Sequence, residues 1–167
     1  MRRNLLCAAL LAALLLALLS GCAKGSAVEP ALTVGGTEIT GDTSVEDVLE
    51  ALGDGYEYFE AISCVYEGMD KTYTYPDYIL YTYPDGATDH LMELYCTGGD
   101  VSAKGVTFGA SKDEIVEAFG EDYTEEGSMM IYAVEPSDAN NEPASVYFEL
   151  TDGAVSAIAL TAEHRSE

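Results

Sequence analysis

Tryptophan is absent from this 167-residue chain, and basic residues are scarce: 7 Lys and Arg stand against 30 Asp and Glu, a formal net charge of −23. The shortage of cations excludes nucleic acid as a partner, because such binders need Lys and Arg to displace counterions from phosphates. It equally disfavours an anionic membrane surface as something the polypeptide itself would bind. Without tryptophan, an interface lacks the side chain most enriched among tight anchors. There are only two histidines, His90 and His164, and no Gly-x-Ser-x-Gly elbow, so nothing supports a nucleophilic triad. The few histidines and cysteines are not at zinc-ligand spacing. The acidic stretches at 85–89 and 138–142 lack the order of a dedicated calcium loop. The length is too small for a barrel enzyme or a full dinucleotide-binding fold. No catalytic role, cofactor or metal is expected. Paired carboxylates for glycoside hydrolysis need a deep cleft, which a chain this small rarely builds.

Hydrophobic residues nevertheless make up 48% of the chain, so it is not an acidic disordered tail. One long apolar run stands out. Arg2 and Arg3 precede an almost unbroken aliphatic stretch from Leu5 to Leu19, about the length of a secretory h-region and short for a spanning helix. It ends in Leu19-Ser20-Gly21-Cys22, which resembles the cleavage box of bacterial lipoproteins. The resemblance implies removal of residues 1–21, acylation of the Cys22 thiol and a position on the outer side of the cell membrane. Two or more acyl chains there give stable anchoring. An uncleaved anchor and a plain secretory signal are the other readings of this run. Residues 22–32 follow as the lipidated cysteine and a small, polar tether. Cys64 and Cys96 then remain as an even pair outside the cytoplasm, where a disulfide is allowed; two separate buried thiols are the alternative.

The remainder repeats itself. Residues 39–56 and 106–123 align without a gap at an offset of 67, with six identities in 18 positions: Thr40/Thr107, Ser44/Ser111, Glu50/Glu117, Ala51/Ala118, Gly53/Gly120 and Tyr56/Tyr123. Each copy marks both ends of a short helix. Ser44 and Ser111 are N-cap candidates, each followed three residues on by Asp47 or Glu114. Gly53 and Gly120 stand where a C-terminal cap belongs. Val45, Val48, Leu49 and Leu52 form one apolar stripe, and Ile115, Val116 and Phe119 form the other. Strands are expected at 63–67, 72–75, 78–83, 90–97, 129–134, 145–150 and 154–160, with Asp152-Gly153 as a hairpin turn between the last two. The expected class is α+β: two tandem repeats, each a helix and then an antiparallel meander, forming one sheet with the helices on one face. Repeat 1 covers 33–98 and repeat 2 covers 99–163, with a tail at 164–167.

This helix motif, with Ile/Val-Thr before it, Leu/Phe-Gly at its end and a meander after it, resembles the β-lactamase-inhibitor-protein-like fold. Small outer-membrane assembly lipoproteins carry a single similar unit. The resemblance covers about residues 33–163 and departs at Asp42, where the second copy has Gly109. It implies a binding module whose sheet grips a partner protein.

Tyrosine is concentrated as well: nine of the 12 fall between Tyr56 and Tyr95, which points to one region of the sheet. Residues two apart in a strand share a face, so Tyr73 and Tyr75 form one row and Tyr81 and Tyr83 another. An exposed aromatic face built from these four is the functional reading. Plain β-propensity and cross-strand packing is the structural one. The expectation is a lipid-anchored extracytoplasmic module that binds an envelope protein, a basic one given the chain's charge. The alternative is a lipoprotein that binds or senses a small ligand, glycan or cation in a pocket between the repeats.

Overall fold

The computed structural model describes residues 30–134 and 144–162. Two hairpin strands come first, β1 (Ala31–Val34) and β2 (Thr37–Thr40), turned by Gly35 and Gly36 at φ 56° and 86°. Helix α1 (Val45–Leu52) leads into β3 (Glu57–Ile62), β4 (Met69–Thr74), β5 (Tyr78–Asp85) and β6 (Thr88–Cys96). The short β7 (Val101–Ser102) precedes helix α2 (Lys112–Phe119). Then follow β8 (Thr124–Glu126), β9 (Met129–Val134), β10 (Ala144–Thr151) and β11 (Ala154–Thr161).

The expected α+β class is corrected by this layout. Strand takes 54% of the described residues and helix only 13%, in two helices, so the protein is mostly β. There are two sheets rather than one. The larger is an eight-stranded antiparallel sheet in the order β3-β4-β5-β6-β11-β10-β9-β8. The smaller has three strands in the order β2-β1-β7. The physical reason lies in segments that carry no obvious strand pattern. Residues 31–40 form a Gly-Gly hairpin whose second strand, TEIT, buries a single residue. Strand β3, EYFEAI, is exposed along its whole length, and an edge strand of this kind shows no apolar alternation. The expected strand at 63–67 is instead the connection between β3 and β4, closed by Ser63 N–H donating to the Gly68 carbonyl at 3.0 Å.

The helices form where their caps predict. The Ser44 hydroxyl accepts from Asp47 N–H at 3.1 Å. Ser111 and Glu114 make a complete capping box, side chain to backbone in both directions. Those bonds hold the Glu114 carboxyl below the usual carboxylate range. Both helices carry acidic residues in the first turn, where the macrodipole favours them. Two tyrosines, one in the β4–β5 turn and one on β9, tie down the other ends: Tyr75 Oη donates to the Gly53 carbonyl and Tyr132 Oη to the Gly120 carbonyl, each at 3.0 Å. These carbonyls belong to the cap residues, where helical partners run out.

The core lies on one face of the large sheet. Val48 of α1 and Ile115 of α2 are fully buried in one cluster with Leu80, Leu94, Phe148, Ile158 and Leu160 of the sheet and Leu32 and Ile39 of the small sheet. Full burial of one such side chain stabilises by roughly 1.5–3 kcal/mol relative to leaving it exposed. Helices and small sheet therefore cover the same face. Where the chain passes close to itself, glycine is required: a Cβ on Gly99, at φ 79°, would overlap the Tyr78 hydroxyl.

Ser111→Ala removes the cap hydroxyl and half of the box; it is expected to cost about 1 kcal/mol of unfolding free energy. Urea melts of this variant and the wild type read the difference directly.

Candidate binding face

Side-chain parity decides what each strand offers. Leu80, Leu94, Leu160, Val146 and Tyr132 lie in one register row and point into the core. The neighbouring row, Ile79, Tyr95, Ala159, Tyr147 and Ile131, therefore points to the opposite face. The next row out on that face is Phe59, Thr72, Tyr81, Glu93, Thr161 and Ser145. Neither helix nor the small sheet packs there.

Its centre is a reciprocal pair of bonds, each strand giving one tyrosine and one glutamate. Tyr147 Oη donates to Glu93 Oε1 at 2.5 Å, and Tyr95 Oη donates to Glu149 Oε2 at 3.2 Å. Each bond spans strand β11, joining β10 to β6. Ala159 and Ala157 on β11 are small and buried, which leaves room for the two rings above them. Ser145 and Thr161 hydroxyls meet at 2.6 Å beside the pair. Burial first, then the neighbouring glutamates, pushes both phenols above their ordinary value; Tyr147 is the more strongly shifted. Both hydroxyls thus remain donors at neutral pH, and each glutamate keeps lone pairs for an incoming N–H.

One end of the face is walled. Tyr66, in the 63–68 connection, stacks on Tyr83 with centroids 4.7 Å apart, and Tyr83 stacks on His90 at 5.6 Å. No cation lies on the face among the described residues. Lys71 pairs with Asp89 at 2.5 Å, Lys112 pairs with Glu125 at 2.6 Å, and Lys104 sits over the Phe119 ring at 4.6 Å. The face is therefore aromatic, aliphatic and acidic.

The four tyrosines singled out from the sequence separate. Tyr81 is on the open face and half-buried. Tyr73 and Tyr75 are buried in the core, packed edge-on against Tyr56 at 5.1 and 5.4 Å, so they form no exposed row. Tyr83 points to the open side but is covered by Tyr66, with 1% of its surface exposed. The residues that sequence reading missed are Tyr95, Tyr147, Glu93 and Glu149. Their partners lie 54 positions apart, and no local pattern announces such a pairing.

Cys64 and Cys96 are both free thiols, the first exposed and the second buried. Cys96 pairs with Tyr78 at one end of β5, whereas the 63–68 connection approaches Pro84 at the other. Six residues of strand separate those ends by about 20 Å, far beyond disulfide reach. The disulfide that the sequence allows is excluded by this placement, and the two thiols are separate, though only Cys96 is buried. Cys22, the tether to residue 29 and the tail lie outside the described residues.

A surface cleft of about 420 Å³ is lined by Lys104, Phe108, Glu114, Glu117 and Ala118 among others. All of its walls come from 104–118, not from the junction of the two halves. Among the described residues no group of three or more His, Cys, Asp or Glu side chains converges on a metal-sized site, and no helix is long and apolar enough to cross a membrane.

Comparison with known proteins leaves the geometry to stand by itself: no family model, no curated protein and no solved structure matches the chain.

Two outcomes follow from these environments. Burial raises the Cys96 thiol to about 12, so a thiol reagent at pH 8 should label Cys64 in the native chain and reach Cys96 only after denaturant is added. Burial also raises Tyr75 to about 12. The folded state then holds that proton more tightly than the unfolded chain does. Its contribution is present in full below the unfolded value near 10 and is lost as pH climbs toward 12. Thermal melts between pH 8 and 11 should show the melting temperature falling only at the alkaline end.

Proposed function

We propose that this chain is a lipid-anchored extracytoplasmic binding module, without catalytic role, that holds a basic envelope protein on its open sheet face. The observation that carries the reading is the uncovered face itself. Ile79, Tyr81, Tyr95, Ile131 and Tyr147 lie there around two glutamates, while the opposite face is filled by both helices and the small sheet. Tyrosine provides broad contact at low rotamer cost. The formal charge of −23 and a face without lysine favour a cationic partner and steer its approach. The anchor rests on the Leu19-Ser20-Gly21-Cys22 box, and Cys22→Ser is expected to move the chain from the membrane fraction to the soluble one.

The partner test uses the full chain in mild detergent as bait for an envelope extract, followed by reconstitution with the purified captured protein. Two variants run beside it, Tyr95→Ala/Tyr147→Ala and the milder Tyr81→Ala/Ile131→Ala, each checked for folding by circular dichroism. Affinity is expected to fall at least about tenfold in both, or about 1.4 kcal/mol, and to weaken with salt in the wild type. Equal binding by wild type and both folded variants sinks the face as the site. A rise in melting temperature on adding a small ligand, lost on Lys104→Ala, would instead favour the envelope-sensor reading, for which the 104–118 cleft offers a space among the described residues.

A further inference from the structure

The two edges of the large sheet are built differently. Strand β8 is three residues long, Thr-Glu-Glu, and its Glu125 is tied back to Lys112 of α2. Short length and charge are the usual guards of an exposed edge. Among the described residues, the six-residue strand β3 pairs only with β4, which leaves the other side of its backbone without a strand partner. It carries no proline, no lysine and no bulge in its pairing with β4. The large apolar side chains that stay exposed among the described residues are all on it or beside it: Tyr56, Tyr58, Phe59, Ile62 and Val65. Phe59 is 65% exposed and Ile62 80%.

The ladder fixes which backbone groups are free. Ser63 N–H is bonded across to Gly68, so the inward-bonding positions of β3 are Glu57, Phe59 and Ala61, paired with Thr74, Thr72 and Asp70. The N–H and C=O groups of Tyr58, Glu60 and Ile62 accordingly point away from the sheet. Glu57 and Phe59 flank this edge on the open-face side, with Tyr58, Glu60 and Ile62 on the other.

We infer that β3 is a strand-addition site that takes an extended segment of a basic protein, its backbone bonding to Tyr58, Glu60 and Ile62. The inference rests on the reading of the chain as a protein-binding module, and it names how the partner enters. Charge selects the occupant. A second copy of this chain brings another −23 and, paired antiparallel about Glu60, sets that carboxylate against its own copy, whereas a segment alternating Lys or Arg with apolar residues lays its cations beside Glu60 on one face and its apolar side chains beside Phe59 on the other. Phe59 shares a register row with Tyr81, so an added strand continues directly onto the open face.

The test uses the full chain in mild detergent and a short amidated peptide alternating Lys and Val, long enough to span β3. Amide hydrogen exchange is expected to slow at Tyr58, Glu60 and Ile62 on binding, with little change at Glu57, Phe59 and Ala61. Glu60→Pro removes one outward N–H that the native sheet does not use, so the fold should persist while affinity drops at least about tenfold. Glu60→Gln keeps the N–H and is expected to lose only the salt-sensitive part of binding. The Glu/Val counterpart peptide should not bind. Binding that leaves those three amides unprotected, or that Glu60→Pro does not weaken, overturns the inference. So does protection that appears with chain concentration alone, which would assign the edge to a second copy. If the peptide fails while Tyr95→Ala/Tyr147→Ala still loses a captured partner, the strand-addition site falls and the binding module stands. If the peptide binds at the edge while the face variants lose nothing, the edge stands as the binding site and the open face falls.

Discussion

The pairing of β6 with β11 is the constraint on which the rest of the molecule depends. Four register pairs, Glu93↔Thr161, Leu94↔Leu160, Tyr95↔Ala159 and Cys96↔Ile158, join two four-stranded meanders into one sheet. On the core side this seam stacks leucine on leucine and sets the buried Cys96 against Ile158. On the other side the same pairs place Tyr95 and Glu93 where Tyr147 and Glu149 can reach across β11. Without the seam each half would have little core to bury, and neither Tyr–Glu bond would exist. Packing and candidate site are thus two faces of one set of backbone hydrogen bonds.

The helices are held from both ends by different means. Serine hydroxyls close the N-termini locally, within three residues of sequence. Tyrosine hydroxyls close the C-termini from further along the chain, 22 residues away for Tyr75 in the β4–β5 turn and 12 for Tyr132 on β9. Helices this short are marginal by propensity. Each depends on one buried stripe and on a phenol that fixes its terminal carbonyl. That explains why Tyr75, inside the sequence's aromatic cluster, is spent on the interior rather than offered outward.

What was legible in the sequence follows the range of the interactions concerned. Both helices begin and end at the serines and glycines that mark them, because a cap is a three-residue event. The Asp152-Gly153 turn is found with both residues at positive φ, 53° and 82°, as a tight two-residue hairpin needs. Strands β9, β10 and β11 lie within a residue of their expected positions. The class was misjudged because β1, β2 and β3 carry weak patterns and add a second sheet and an edge. Parity was the other gap. Spacing puts Tyr81 and Tyr83 in one row, yet only the register with β6, and the Tyr66 ring lying over Tyr83, decides which of them meets solvent. The Tyr–Glu pair of bonds depends on contacts 54 residues apart, and no window along the chain contains both ends.

The inequality of the two edges has a consequence for how the protein behaves in a crowd. A sheet open at both sides is a monomer for a fibre, since each added unit exposes a new end. Here β8 is short and charged, so among the described residues pairing at β3 consumes the one unguarded edge of the large sheet. Growth stops at the first addition. A chain tethered at high density on a surface would thereby behave as a terminator of β-sheet polymerisation rather than a seed.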